Sequence, residues 1–177
     1  MTRRPANSRA GLALVLGGLA LFAALSGCAY TAGSSLLPSH LRTVAIPTFE
    51  NGTTEYLLEK EITQAVIDKF IADNHLKVVD EKSANAVIRG KVTQYKNSVF
   101  GFTQNSTSNE YRVTVAVEVT FKDLVKNREL WSGEIVKTAN YYVQDVPGQA
   151  AQTELDGRKE AINKISDEIL SRSVEGW

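Results

Sequence analysis

Few side chains in this sequence could do chemistry. Among 177 residues there are one cysteine, Cys28, and two histidines, His40 and His75. A thiol can act as a nucleophile, a metal ligand or an attachment point, and an imidazole as a general base or ligand. The spacing argues against the catalytic uses. A Ser-His-Asp triad needs one imidazole held deep in a site. His40 instead stands in a short stretch of small and polar residues, and His75 in a turn between a helix and a strand. No HExxH, phosphate-binding GxxxxGK[ST] or Cys/His cluster occurs. Asp80-Glu81 and Asp167-Glu168 are adjacent carboxylates, but neighbours on a strand or helix point apart, so both pairs read as solvated surface charge. The expectation is a protein that is not an enzyme and holds no metal or soluble cofactor.

Cys28 then stands as an attachment point, and the residues before it say to what. Residues 1–9, MTRRPANSR, carry Arg3, Arg4 and Arg9 and no acid; residues 10–25, AGLALVLGGLALFAAL, are all apolar or glycine. A basic start, a short apolar run and a small-residue junction describe a secretory signal peptide. The run falls short of the roughly 20 apolar residues a spanning helix needs. Leu25-Ser26-Gly27-Cys28 resembles the lipobox of bacterial lipoproteins. The resemblance implies cleavage before Cys28, a diacylglycerol on its sulfur and an acyl chain on the new amino terminus. Several acyl chains anchor a protein stably where one does not. A lone cysteine in an exported chain has no internal disulfide partner, which agrees. Ala29 follows the cysteine, and by resemblance to lipoprotein sorting in Gram-negative cells this favours the outer membrane.

The expected organisation is therefore a cleaved signal peptide over 1–27, a lipidated tether over 28–40 and one domain over 41–177. The sequence has 20 basic and 20 acidic residues; without the three arginines of the signal peptide, 17 bases face 20 acids, a net charge of −3. Nothing in that balance points to nucleic acid.

The domain must be built from alternating elements. Residues 42–49, RTVAIPTF, read as a strand, and Pro47, with no amide donor, marks an edge or a bulge. Asn51-Gly52 reads as a turn, with Thr53 or Thr54 capping a helix over about 54–72. Its stripe is Leu58, Ile62, Ala65, Val66 and Phe70, widened by Ile67 and Ile71. Residues 74–80 form a turn and a short strand. A strand over 86–99 slips its alternation near Gln94-Tyr95, the mark of a bulge. Residues 110–122 alternate strictly: Tyr111, Val113, Val115, Val117, Val119 and Phe121 on one side, Arg112, Thr114, Glu118, Thr120 and Lys122 on the other. A strand over 129–143 and a helix over about 149–172, with Ala151, Leu155, Arg158, Ile162, Ile165 and Ile169 on its stripe, complete the chain. The fold class is α+β: a two-layer sandwich with two amphipathic helices on one face of a mainly antiparallel four- to five-stranded sheet. The face bearing Arg112, Thr114, Glu118 and Thr120 faces either water or a polar protein surface.

The succession "LRTVAIPTFENGTTEYLLEKEITQAVIDKF", "LKVVDEKSANAVIRGKVTQYKNS", "NEYRVTVAVEVTFKDL", "ELWSGEI" and the terminal "EGW" resembles the LptE family of lipopolysaccharide-assembly lipoproteins over most of residues 41–177. The resemblance implies a protein on the periplasmic side of the outer membrane that plugs the large β-barrel LptD, helps it assemble and assists delivery of lipopolysaccharide. Arg112, Thr114, Glu118 and Thr120 then become the candidate barrel-facing residues. Phosphates of lipopolysaccharide would call for convergent cations. The loop "FGFTQNSTSN" has none, whereas the next hairpin supplies Lys122, Lys126 and Arg128 as candidate contacts. Parts of the same succession are also similar to the LpoB and CsgG group of outer-membrane lipoproteins, which implies a peptidoglycan synthase activator or a secretion-pore subunit. A tether of a dozen residues is short for the first, and Glu134 and Lys137 on opposite faces of one strand suit no lipid-facing hairpin of the second.

Overall fold

The structure is a computed structural model, which describes residues 37–102, 108–144 and 150–175. Cys28 and the expected signal peptide over 1–27 lie outside these residues. In chain order the elements are β1 (Thr43–Ala45), β2 (Glu50–Asn51), α1 (Leu58–Asp73), β3 (Lys77–Val78), a 3-10 turn (Glu81–Ser83), β4 (Ala86–Phe102), β5 (Ser108–Asp123), β6 (Arg128–Tyr142) and α2 (Glu154–Val174).

One sheet holds all six strands in the order β3-β1-β4-β5-β6, with β2 also on β4. The long strands β4, β5 and β6 form an antiparallel meander. The short β1, β2 and β3 add parallel pairings at the other side, β1 to β3 and both β1 and β2 to β4. The sheet is thus mixed, with more strands than the alternation alone displays, because two-residue strands are too short to carry a period. β1 and β2 are one line along β4 interrupted at Pro47: a proline cannot donate to the ladder, so the chain leaves the sheet after Ala45 and rejoins it at Glu50. The expected bulge in β4 is present, with register slipping between Val92 and Gln94.

Both helices cover the same face. Val113, Val115, Val117, Val119 and Phe121 of β5 are buried beneath them, with Ile88 and Val92 from β4 and Ile135, Ala139 and Tyr141 from β6. Opposite lie Leu58, Ile62, Val66 and Phe70 of α1 and Ala161, Ile162, Ile165 and Ile169 of α2. Each fully buried Leu, Ile, Val or Phe contributes about 1.5–3 kcal/mol, which accounts for a stable core without a disulfide.

The helix starts differ from the sequence reading. α1 begins at Leu58, not near 54, and neither Thr53 nor Thr54 caps it. Those residues are consumed in a turn organised by Asn51, whose carboxamide oxygen accepts from the Thr53 amide at 2.9 Å and whose NH2 donates to the Glu55 carbonyl at 2.8 Å. The cap position falls to Leu57, left-handed at φ 63° with no side-chain cap. Ile71 does not widen the buried stripe; it is 61% exposed, because the stripe ends on Phe70 as the helix closes. α2 begins at Glu154, leaving Ala151 outside the helix and exposed. Thr153 supplies the start signal: its hydroxyl accepts from the Asp156 amide while the Asp156 carboxylate accepts from the Thr153 amide, a capping box.

Candidate functional site

The face of the sheet away from the helices is set by strand parity. Across it run three aligned rows: Lys91, Lys96 and Ser98 of β4; Arg112, Thr114, Ala116, Glu118 and Thr120 of β5; and Ser132, Glu134, Val136, Thr138 and Asn140 of β6. No described element of the chain packs on these rows, and they are polar except for Ala116 and Val136.

Arg112 is the anchor of one end. Its Nε donates to Asn140 Oδ1 at 2.8 Å, and its guanidinium lies over the Phe100 ring, 3.4 Å from the centroid. Asn140 in turn donates to Glu110 at 2.9 Å, and the Tyr142 hydroxyl donates to the same carboxylate at 3.1 Å. The Glu110 carboxylate raises the Tyr142 phenol above its ordinary pKa by accepting that bond, which favours the protonated phenol. A guanidinium stacked on one side and hydrogen-bonded on the other is held in place, so this end of the face is preorganised. Further along, Thr120 and Ser132 share a hydrogen bond at 3.3 Å, and Thr114 is half-buried between Lys96 and Thr138. Glu118 is exposed and directly opposite Glu134, with Lys91 on its other side. Arg112, Thr114, Glu118 and Thr120 therefore share one surface, as their alternation predicts. Asn140, Glu110 and Tyr142, which hold Arg112, were not singled out by the sequence. The signal for Asn140 and Tyr142 was the even-numbered polar positions of 129–143, and for Glu110 its shared parity with Arg112, all legible only once the register of β5 and β6 is known.

The basic hairpin is a separate feature. Lys122 is half-buried on the open side of β5 between Val87 and Glu129, while Lys126 and Arg128 are exposed. The turn is built on Asp123, whose carboxylate is fully buried and accepts from the amides of Val125 and Lys126, both at 2.9 Å, and from His40 Nε2 at 2.7 Å. Arg128 stands 4.0 Å from the same carboxylate. Burial alone would raise this acid; the Lys126 amide, His40 and the Val125 amide outweigh it and hold its pKa below the ordinary carboxylate value. His40, expected in the tether, is thus fastened to the domain, and Leu37 beside it packs against the core. Phe100, an exposed aromatic of the 99–110 connection, stacks under Arg112.

The architecture defines a class: a two-layer α+β domain with one largely polar sheet face that no described element covers. The model of the family described as LptE, lipopolysaccharide-assembly, matches residues 41–173. The chain belongs to the LptE family of lipopolysaccharide-assembly lipoproteins. A solved structure from Xanthomonas campestris superposes with a TM-score of 0.57 at 7% identity, covering 79% of this chain and 88% of that one. A hypothetical protein from Chlamydia trachomatis gives 0.53 at 11% identity, over 75% of this chain and 95% of its own. The rare lipoprotein B from Shewanella oneidensis gives 0.47 at 21% identity, over 73% and 92%. The first two attest the fold. A search of curated proteins returns no significant match.

Proposed function

We propose that this protein is the plug and assembly subunit of an LptD-like β-barrel in lipopolysaccharide transport, held on the periplasmic side of the outer membrane by a diacylglycerol and an N-acyl chain on Cys28. The role is non-catalytic. The observation that carries it is the bare polar face of β4, β5 and β6. A barrel lumen is polar and watery, so such a face suits it where an apolar one would not. The strands suit it in length as well: at about 3.3 Å per residue a 15-residue strand spans roughly 50 Å, more than the apolar band of about 25 Å that a barrel presents to lipid.

The position of the basic hairpin supports a contact with lipopolysaccharide through Lys122, Lys126 and Arg128. His40 binds Asp123 in that hairpin, so the tether enters the domain beside it. Eleven residues separate His40 from Cys28 and extend at most about 3.5 Å each, so a lipid anchor there keeps the hairpin near the membrane.

The test is to capture the tagged lipoprotein from detergent-solubilised outer membranes and identify what survives a high-salt wash. A one-to-one complex with a large barrel of the lipopolysaccharide pathway is expected. Recovery of a peptidoglycan synthase, or of a ring of this chain alone, overturns the reading.

A further inference from the structure

The sheet ends on β6, and the two ends of the sheet are unlike. At one side β3 is two residues long, a blunted edge. At the other, β6 is fifteen residues long, contains no proline, and keeps unbroken register with β5 from Trp131 to Tyr142. That stretch is a straight ladder of roughly 40 Å at about 3.3 Å per residue. Long, regular edges template pairing with other chains, and folded proteins guard them.

The outward side of β6 can be assigned. The Thr138 carbonyl accepts from Lys164 Nζ of α2 at 3.1 Å, and the Tyr142 carbonyl from the Gln152 amide at 2.6 Å. Both donors lie outside the ladder, so even-numbered residues direct their backbone groups away from β5. By the alternation of an antiparallel strand, Glu134, Val136 and Asn140 do the same. No further strand pairs there among the described residues. Lys164, half-exposed and ion-paired to Glu160 at 2.6 Å, is the guard of this edge in the isolated domain.

The charge row across the sheet says what belongs beside it. Lys91, Glu118 and Glu134 stand in register on β4, β5 and β6 of the open face. Glu118 has a cation on one flank; Glu134 faces Glu118 and has no described cation within ion-pair distance. Opposite charges across strands stabilise and like charges directly opposed destabilise. A strand added to β6 with a lysine or arginine facing Glu134 completes the row. A second copy of this chain paired through its own β6 does not supply it, because the open-face positions of that ladder are Ser132, Glu134, Val136, Thr138, Asn140 and Tyr142.

We infer that β6 is a strand-addition edge, on which an extended segment of the barrel partner, carrying a lysine or arginine opposite Glu134, continues the sheet by main-chain hydrogen bonds. The inference rests on the plug reading and deepens it: the open face supplies polar contact, and the edge supplies backbone pairing that fixes the orientation of the domain. On docking, Lys164 leaves the Thr138 carbonyl to the incoming amide.

A photo-crosslinking residue placed in the full-length lipoprotein at Val136, and separately at Lys96 on the open face and Ile71 on α1, tests this in cells. Residue-resolved hydrogen exchange on the detergent-purified complex accompanies it. The expected result is capture of one barrel segment from Val136, none from Ile71, and exchange at the Val136 and Asn140 amides slowed by about tenfold or more on complex formation. The Glu134→Lys variant is expected to lose most of the Val136 crosslink while folding normally. Capture of the barrel from Lys96 without Val136 capture or amide protection overturns the edge and leaves the plug reading standing. Barrel capture from neither position overturns both. Capture of a second copy of this chain from Val136 overturns the inference in favour of self-pairing.

Discussion

His40 donates through Nε2 to the fully buried carboxylate of Asp123 at 2.7 Å, joining the entry of the domain to the β5–β6 turn across 83 positions of sequence. The same carboxylate takes two turn amides, so three donors depend on one side chain. Asp123→Ala leaves all of them without that partner in a partly buried turn. Unsatisfied buried polar groups cost about 1–3 kcal/mol each before relaxation, so a loss of about 3 kcal/mol is expected in urea unfolding. A loss below about 1 kcal/mol would mean that water replaces the carboxylate.

The same acid gives a signed pH dependence. Its pKa in the fold lies below the unfolded value, so its contribution is fully present above the unfolded pKa of about 3.9 and is lost as pH falls through the lower folded value. Stability measured from pH 6 down to pH 2 should fall more steeply for the natural chain than for Asp123→Asn, which has no proton to take up. Parallel curves would show that the depressed acidity of Asp123 contributes nothing.

Glu118 and Glu134 oppose each other across β5 and β6. Replacing either by glutamine removes the repulsion, and cross-strand pairs are worth about 0.2–1 kcal/mol, so the isolated domain should gain an amount in that range. The gain should shrink at high salt, since both carboxylates are exposed. An unchanged urea midpoint at low salt would show the repulsion to be fully screened.

Gly157 lies in α2, where alanine is ordinarily better by about 1 kcal/mol. Here a Cβ would come 2.8 Å from Tyr141 Cδ1, and that ring is buried and stacked on Tyr111 with centroids 5.4 Å apart. Overpacking costs about 1–3 kcal/mol and outweighs the helix gain. Gly157→Ala should therefore destabilise by about 1 kcal/mol net; a more stable variant would show that Tyr141 yields.

Arg158 stands on the apolar stripe of α2 because its guanidinium bridges back to the start of α1. It pairs with Glu55 at 2.5 Å, approaches Glu61 at 3.6 Å and lies 5.8 Å from the centroid of the Tyr95 ring. Burial first, then the Glu154 carboxylate that accepts its hydroxyl, raises the Tyr95 phenol above its ordinary pKa. Glu55 and Glu61 are about a third exposed and can rehydrate. Arg158→Met should thus cost only about 1 kcal/mol, read by urea unfolding. A cost of several kcal/mol would mark the cluster as a sealed, desolvated one.

Several features are legible without any coordinates. The strict alternation of 110–122 predicts which β5 side chains are buried, and Val113, Val115, Val117, Val119 and Phe121 obey it, with the small Ala116 buried as well on the other face. The slip at Gln94 predicts the β4 bulge, and Pro47 predicts the break between β1 and β2, since both are local backbone effects. The candidate face is legible in part: Arg112, Thr114, Glu118 and Thr120 share a surface because parity alone puts them there.

What sequence alone leaves open has a common physical cause. Asp123 reads as an ordinary turn residue, and its burial depends on a histidine far away in the chain. The cap of α1 goes astray because Asn51 competes for the threonines, a contest between two local hydrogen-bond patterns that propensity does not rank. Glu134 is only a charged strand residue until register sets it against Glu118 and strand order leaves it on an edge. Period and covalent constraint act within a few residues, so the sequence by itself determines elements, faces and breaks. Register, strand order and burial of charge arise from contacts between segments distant in sequence, and only the tertiary structure decides those.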